Sequence, residues 1–577
     1  MGIFLCLLAL NTKSINPKLM RLVSFLLLLL LIVTCTPTPE NNVPVLPSTM
    51  DAGPDEELAN GHVYHDENEN GMMDANEQGI PGVFVSNGIE LVQTDSEGQY
   101  SIPVSDDAII FVIKPRDWMT PVNEDNLPRF FYLHKPNGYP ENFIYEGVSP
   151  TGPLPERIDF PLYEETGTSD FKMVVFGDPQ PYNIEQIDFL ADDIIKELVD
   201  KDDLEFGMTM GDIVGDDLDL FSPLNQAVSK IGIPWYNVLG NHDVNFQAPS
   251  DELSDETFER VFGPANYAFV YGDVHFIVVD NVIMDEPVGS TRYVGGLRPD
   301  QIEFVSNYLN VVPKEDLVVL TMHIPLEQHG DRFRNSDQKK LFDLLKDFPN
   351  TLSISAHTHT QNNIFFHKDS SDWQQEVPHH HFNVGTTSGS WWGGIRDETD
   401  VPHTMMRDGT PNGYSFITFN GTEYIIDWKV AGSPESHRMN IHVPRGIVAN
   451  SGDNTLLTVN FFNGSEQSEL SYRVLGATKW LPMKKVNKAD PYYAKISQRH
   501  ENLQTLRFPE LWDSNPELSD QPYPISRRLS GPVNSTHLWE ANLGTEWPAG
   551  RHVIEVMAKD RYGRTFTAYQ TMRVVAE

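Results

Sequence analysis

Phe206-Gly-Met-Thr-Met-Gly-Asp-Ile-Val-Gly-Asp216 decides the fold. Its first half, Phe206–Met210, is a short apolar run and reads as a buried strand. The chain then breaks at Gly211 and presents Asp212. A polar group just past the end of a buried strand is where an open α/β sheet offers groups to a ligand. The pattern recurs along the chain. Lys172–Phe176 leads into Gly177-Asp-Pro-Gln180, and Trp235–Leu239 into Gly240-Asn-His-Asp243. Leu317–Met322 runs into His323-Ile324, and Leu352–Ser355 into Ala356-His-Thr-His359. Together these segments carry enough oxygen and nitrogen donors for two divalent ions, and paired ions serve hydroxide attack on a phosphate ester.

Between these strands lie helical patterns at Ile184–Val199, Pro223–Ile231, Pro299–Leu309 and Asp337–Leu345. Strands at Ile364–His367, His381–Val384, Ser415–Phe419 and Tyr424–Lys429 close the region. Mixed strands with alternating helices predict an α/β sandwich of two facing sheets over 171–432. A chain of 577 residues is too long for one core, and the flanks read differently. Short β-like runs separated by Gly, Pro, Asn and Asp predict an all-β sandwich over 58–165 and a second one over 436–577. The stretch 485–530, rich in Pro, Asn and charge, is expected to loop out of the second.

The N-terminus reads as an export signal. Lys18 and Arg21 precede the apolar run Leu22–Val33, which is short for a span of about 20 residues. Ile32-Val-Thr-Cys35 looks like the lipobox of bacterial lipoproteins, which implies lipidation at Cys35 and an exported protein anchored to a bacterial membrane on its periplasmic or cell-surface side. Met20 is a more typical signal start than Met1. Residues 1–35 are thus a signal and lipidation site, and 36–57 a disordered tether. The other cysteine is Cys6, so the mature chain has neither a disulfide nor thiolate chemistry. The formal net charge of -40 argues against nucleic acid as a partner, since nucleic acid is bound through Lys and Arg on phosphates. It argues equally against docking on an anionic membrane face, so membrane association is expected through the lipid alone.

The five segments, in this order, resemble the calcineurin-like metallophosphoesterase superfamily over roughly 171–430. The resemblance implies a four-layer αββα sandwich and a metal-dependent phosphomonoesterase or phosphodiesterase. It also implies a dinuclear site (Mn, Mg, Fe or Zn) with Asp212 as the bridge, a role its two oxygens and full charge suit. Asp178, Gln180 and His359 then complete one ion, and Asn241, His323 and His357 the other. Most relatives carry His where this chain carries Gln180. A neutral, harder amide ligand weakens that ion and favours Mg²⁺ or Mn²⁺ over softer metals. His242, beside Asn241, takes the family's general-acid position. Asp216 or Asp217 is placed to orient it. The substrate is a phosphate ester, on a small molecule or a phosphorylated macromolecule. The alternative is a surface binding lipoprotein whose core has lost most catalysis, and Gln180 is its support.

Three further features are singled out. Asp66-Glu-Asn-Glu-Asn-Gly-Met-Met-Asp-Ala-Asn-Glu77 fits a twelve-residue calcium loop, with ligands from Asp66, Asn68, Asn70, the Met72 carbonyl, Asp74 and Glu77. Trp391, Trp392 and Arg407 sit in Gly-rich loops and are candidate substrate contacts. His379-His380-His381 reads as an exposed strand end.

Overall fold

Why the ligand-bearing segments meet follows from the strands before them. Asp170–Phe176, Phe206–Thr209 and Trp235–Asn237 pair in parallel, and Gly413–Asn420 and Glu423–Val430 extend the same sheet antiparallel. A second, six-stranded sheet has the order Tyr267–Tyr271, Val274–Val278, Leu317–Thr321, Thr351–Ser355, His379–Asn383, Asn362–Phe366. Parallel strands share one C-terminal edge, so loops that leave them emerge together. The computed structural model describes residues 44–53, 57–165, 169–284, 293–327, 333–449, 455–505, 527–544 and 547–576. The signal segment, Cys35 and the first part of the tether lie outside the described residues. Among the described residues no helix is long and apolar enough to cross a membrane.

The two sheets are glued by aromatic rings. Phe206 stacks on Tyr271 at 4.5 Å and meets Phe276 edge-on at 5.4 Å, and Phe171 meets Phe276 edge-on at 6.4 Å. Every position of Phe206–Thr209, Val274–Val278 and Leu317–Thr321 is buried. Both faces of these strands are therefore covered, which their near-continuous apolar runs require. Helices form the outer layers. Ile184–Leu190 continues through a π turn at Ala191–Ile195 into Lys196–Leu198, and with Phe221–Val228 it packs on Val174 and Phe176 of the first sheet. Asn183 caps the first of these by accepting from the Gln186 N–H at 3.1 Å. Pro299–Leu309 and Asn335–Leu345 belong to the second sheet's side, and Phe342 of the latter meets Trp373 and His379 at 5.3 and 5.8 Å. The result is the four-layer αββα sandwich.

Two β-sandwiches flank it. In the first, a sheet ordered Gln99–Val104, Glu57–His65, Phe160–Glu164, Trp118–Met119 faces one ordered Leu91–Gln93, Phe84–Ser86, Ala108–Val112, Phe131–His134. In the second, Met439–His442, Leu456–Phe461, Asn534–Asn542 and Lys484–Ala489 face a five-stranded sheet centred on the hairpin Gly550–Lys559 and Thr565–Val575. Its core is built on Leu457, Val459, Trp539, Ile554 and Val556. The expected loop over 485–530 is corrected in its first half. Lys484–Ala489 is a strand, and Pro491–Thr505 is a helix that starts on its proline, where the missing N–H costs nothing. Tyr493, fully buried, ties that helix down through a hydroxyl contact with Ser390 at 2.8 Å. His379-His380-His381 is also corrected. All three rings are buried, because their strand lies inside the second sheet.

Candidate active site and metal centre

Asp178, Gln180, Asp212, Asn241, His323, His357 and His359 converge on one hollow, and their side chains are linked by short contacts. Five of them have left-handed backbone: Asp178 (φ 34°), Gln180 (41°), Asp212 (47°), His357 (70°) and His359 (50°). This conformation costs a non-glycine residue about 1–3 kcal/mol and persists only where neighbours enforce it. The neighbours are identifiable. The Asp178 carboxylate accepts from the His357 N–H at 3.0 Å, and Asp212 from the His242 N–H at 3.0 Å. The glycines before them leave no spare room. A Cβ on Gly240 would lie 1.9 Å from the Asp212 nitrogen, and one on Gly211 (φ 86°) 2.4 Å from His323 Nδ1.

Ring partners fix which imidazole nitrogens carry hydrogen. His359 Nδ1 donates to the Gly389 carbonyl at 2.7 Å. Its Nε2 lone pair then faces Gln180 Oε1 at 3.0 Å and Asp178 Oδ2 at 3.3 Å, both acceptors. Burial drives the His359 pKa down to about 3, so the ring is neutral, and Asp178 Oδ2 is buried with no donor. His323 repeats the arrangement. Its Nδ1 donates to the Met210 carbonyl at 2.8 Å, while Nε2 faces Asp212 Oδ1 (3.2 Å), Asn241 Oδ1 (3.1 Å) and His357 Nδ1 (3.2 Å). Two groups of lone pairs pointing at each other repel unless a cation sits among them. The donor set, carboxylate, amide oxygen and neutral imidazole, is one that divalent ions take. Asp212, His323 and His357 bring their ligand atoms within 4.8 Å of one another.

The electrostatics mark the same place. Burial opposes charge on Asp212, yet the His323 and His242 charges hold its carboxyl well below the usual range. Burial pushes Asp178 up to about 7. Burial opposes charge on His323, but the Asp212 carboxylate prevails and holds its pKa up to about 9, so without a metal ion a proton on Nε2 takes the cation's place among these acceptors, and a divalent ion would displace it. His242 lies at the mouth. Its Nδ1 pairs with Asp216 Oδ1 at 2.6 Å, and its Nε2 stands 3.9 Å from Asp212. Of the two carboxylates weighed for orienting His242, Asp216 is the one in contact.

The hollow measures ≈ 660 Å³. Arg407 and Trp391 line it, and the Trp391 ring stacks on His359 at 4.0 Å. Trp392 is a correction. It is fully buried, its indole N–H donates to the Pro179 carbonyl at 2.8 Å, and it packs near Phe189, so it props the Asp178–Gln180 loop from behind and does not line the hollow. The C-terminal sandwich supplies Asn487, Asn534 and Thr536 to the wall, a contribution with no sequence signal.

Sequence reasoning missed two clamps. Asp243 accepts from the Gly240, Ile213 and Val214 N–H groups at 2.8, 3.1 and 3.1 Å, tying the Asp212 loop to the Asn241 loop. Its place in Gly240-Asn-His-Asp243 was the available clue. Asn281 Oδ1 accepts from the His323 and Ile324 N–H groups at 3.2 and 2.9 Å. In the calcium-type loop, Asp66 is buried and accepts from the Asn70 and Gly71 N–H groups at 3.1 and 2.7 Å. Asn68 and Asn70 both donate to Asp74, Glu77 accepts from the Glu67 and Asp74 N–H groups, and the Met72 side chain is exposed.

Three family models match consecutive parts of the chain. They are the N terminal of calcineurin-like phosphoesterase at residues 67–147, calcineurin-like phosphoesterase itself at 171–361, and the C terminal of calcineurin-like phosphoesterase at 381–566. Among curated proteins no match is found. Among solved structures, the purple acid phosphatase PPD1 from yellow lupin (Lupinus luteus) seeds is 12% identical, with 65% of this chain and 71% of that chain covered at a TM-score of 0.34. PhoD is 11% identical, with 65% and 85% covered and a TM-score of 0.34. The chain belongs to the calcineurin-like phosphoesterases and is a metal-dependent hydrolase of phosphate esters.

Proposed function

We propose that the chain is a dinuclear phosphomonoesterase or phosphodiesterase. The observation that carries this reading is the pair of opposed lone-pair clusters joined by Asp212, one around His359 and one around His323. Asp178, Gln180 and His359 would hold one ion and Asn241, His323 and His357 the other, with the two oxygens of Asp212 available to both. Divalent ions bound there supply Lewis-acid polarisation of the phosphoryl group and a nucleophile drawn from water at neutral pH. His242, backed by Asp216, holds a proton at Nε2 for the leaving oxygen, as a general acid placed at the mouth must. The neutral Gln180 oxygen favours Mn²⁺ or Mg²⁺ at the first position.

We infer further, from the lipobox-like Ile32-Val-Thr-Cys35 and the calcium-type spacing of Asp66–Glu77, that the chain is held outside the cytoplasm to a bacterial membrane by lipid on Cys35 and that Ca²⁺ stiffens the first sandwich.

The test is hydrolysis of an aryl phosphate monoester and diester by metal-stripped protein reloaded with Mn²⁺, Mg²⁺ or Zn²⁺, with bound ions counted. Two ions per chain and turnover that Asp212→Asn and His242→Ala abolish are expected. Both variants matching wild type would overturn the reading.

A further inference from the structure

Beneath the site lies a buried polar ladder that the hydrolytic reading leaves unexplained. Thr351, Ser353 and Ser355 project from one strand, His379, His381 and Asn383 from its parallel neighbour, with Ser353 opposite His381 and Ser355 opposite Asn383. Residues two apart share a face, so the six side chains form one row. Apart from half-buried Thr351 every member is at most 2% exposed, and Phe342, Phe366 and Trp373 lie against His379. The contacts are continuous. Thr351 Oγ1 meets His379 Nδ1 at 2.8 Å, and His379 Nε2 meets Ser353 Oγ at 2.8 Å. Ser353 Oγ meets His381 Nδ1 at 2.7 Å, and His381 Nε2 meets Ser355 Oγ at 2.9 Å. Ser355 donates to Asn383 Oδ1 at 3.0 Å. Asn383 Nδ2 then donates to Thr358 Oγ1 at 2.8 Å and to the Thr360 carbonyl at 2.7 Å.

The direction of every hydrogen in this row is forced from one end. A backbone carbonyl only accepts, so Asn383 must turn its NH₂ to Thr360 and its oxygen to Ser355. Ser355 has one hydrogen and spends it on Asn383, so it must accept from His381 Nε2–H. A neutral His381 then has Nδ1 as acceptor, and Ser353 gives its hydrogen there. Ser353 in turn accepts from His379 Nε2–H, and Thr351 donates to His379 Nδ1. Both rings are neutral, burial holding each pKa at about 3. No link can be cut without orphaning a buried group, which makes the row rigid. It ends on Thr358, which stands between His357 and His359, and on Thr360, whose hydroxyl meets that of Thr358 at 2.7 Å. Those two histidines are the ones held in left-handed backbone.

We propose that Ser353, Ser355, His379, His381 and Asn383 are positioning residues, a one-way hydrogen-bond row that sets the Thr358–Thr360 turn and thereby aims the His357 and His359 rings at the ions. This rests on the dinuclear reading above. The row is no proton path out of the site, because the Asn383 amide passes on a hydrogen bond without passing on a proton.

The test uses the metal-loaded full chain. Nitrogen-15 spectra of labelled histidine, assigned with His379→Gln and His381→Gln, are expected to show both rings neutral and solely Nε2–H from pH 8 to 5. A ring that is Nδ1–H, averaged or cationic in that range overturns the proposal. Ser355→Ala removes one hydroxyl and little volume, and Asn383→Asp keeps shape while removing the donor. Each is expected to weaken Mn²⁺ binding at least tenfold, with kcat at saturating Mn²⁺ falling less. His381→Gln, which keeps a donor for Ser355, is expected to hold affinity within threefold while His381→Leu loses tenfold. Mn²⁺ affinities of Ser355→Ala and Asn383→Asp within twofold of wild type overturn the proposal. Wild-type turnover and ion count test the dinuclear reading separately, so the two failures are distinguishable.

Discussion

His242 and Asp216 stand 2.6 Å apart at the mouth of the hollow, and neither belongs to the lone-pair clusters beneath. Removing the ring should therefore separate chemistry from ion binding. His242→Ala is expected to lower kcat by about 10²–10⁴-fold, the usual worth of a positioned acid, with ion count unchanged by metal analysis. Gly240 gives the opposite outcome. Its added Cβ would lie 1.9 Å from the Asp212 backbone nitrogen, and backbone cannot step aside as a flexible side chain can. Gly240→Ala is expected to lose ion binding and to destabilise the fold by about 1–3 kcal/mol, measured by denaturant unfolding. These residues were legible because each follows an apolar run that has no other reading than a buried strand. Trp392 was misread for a reason that is equally physical. Two tryptophans in a Gly-rich loop look alike in sequence, and only the packing against Phe189 and Pro179 decides which of them is a prop.

Helix Glu256–Phe262 carries an element-scale liability. Lys135, nearly buried, reaches Asp107, Glu256 and Glu259 at 3.0, 2.8 and 2.5 Å, while Asp255 at the helix start is buried with Oδ1 unpartnered. Burial pushes Asp255 up to about 6 and Glu259 well above its ordinary value. The folded chain thus holds protons that the unfolded chain releases near pH 4, so stability falls as pH rises from about 4 through 6. Asp255→Asn removes the share of that slope that belongs to Asp255 and leaves that of Glu259. At fixed Mn²⁺ it is expected to be more stable than wild type by about 1–3 kcal/mol at pH 7.5 and to lose the advantage near pH 4. This helix had no sequence forecast, because Asp and Glu crowd its first turn and few apolar positions show a period. The helices at Ile184–Leu190, Phe221–Val228, Pro299–Leu309 and Asn335–Leu345 were legible from their apolar faces. The run His379-His380-His381 was misjudged as an exposed strand end since three histidines look polar, whereas partners on the two adjacent strands satisfy them. Such pairing across strands has no local signature.

At the scale of the whole molecule, the C-terminal sandwich is bolted to the catalytic core and shapes its cleft. Arg564 grips Asp427 with two bonds of 2.9 and 3.0 Å, and the buried His537 meets Asp408 at 3.1 Å, next to Arg407 at the cleft wall. The cleft opens in a chain with net charge -40, and Asp212 and Glu327 stand in its wall. Arg407 lines it, and Arg527 lies over the Tyr182 and Trp391 rings at 5.3 and 6.0 Å. A doubly charged phosphate monoester approaching from solution feels the surrounding field first, and that field repels it. Near the ions the interaction is short-ranged and poorly screened, while the repulsive surface charge is spread over distances well beyond the Debye length of about 8–10 Å in ordinary buffer. Salt therefore removes more of the repulsion than of the attraction. For an aryl phosphate monoester, kcat/KM is expected to rise as ionic strength goes from 20 to 200 mM, through KM rather than kcat, and a singly charged aryl diester should respond less. A fall in kcat/KM over that range would mean that Arg407, Arg527 and the bound ions govern approach as well as binding.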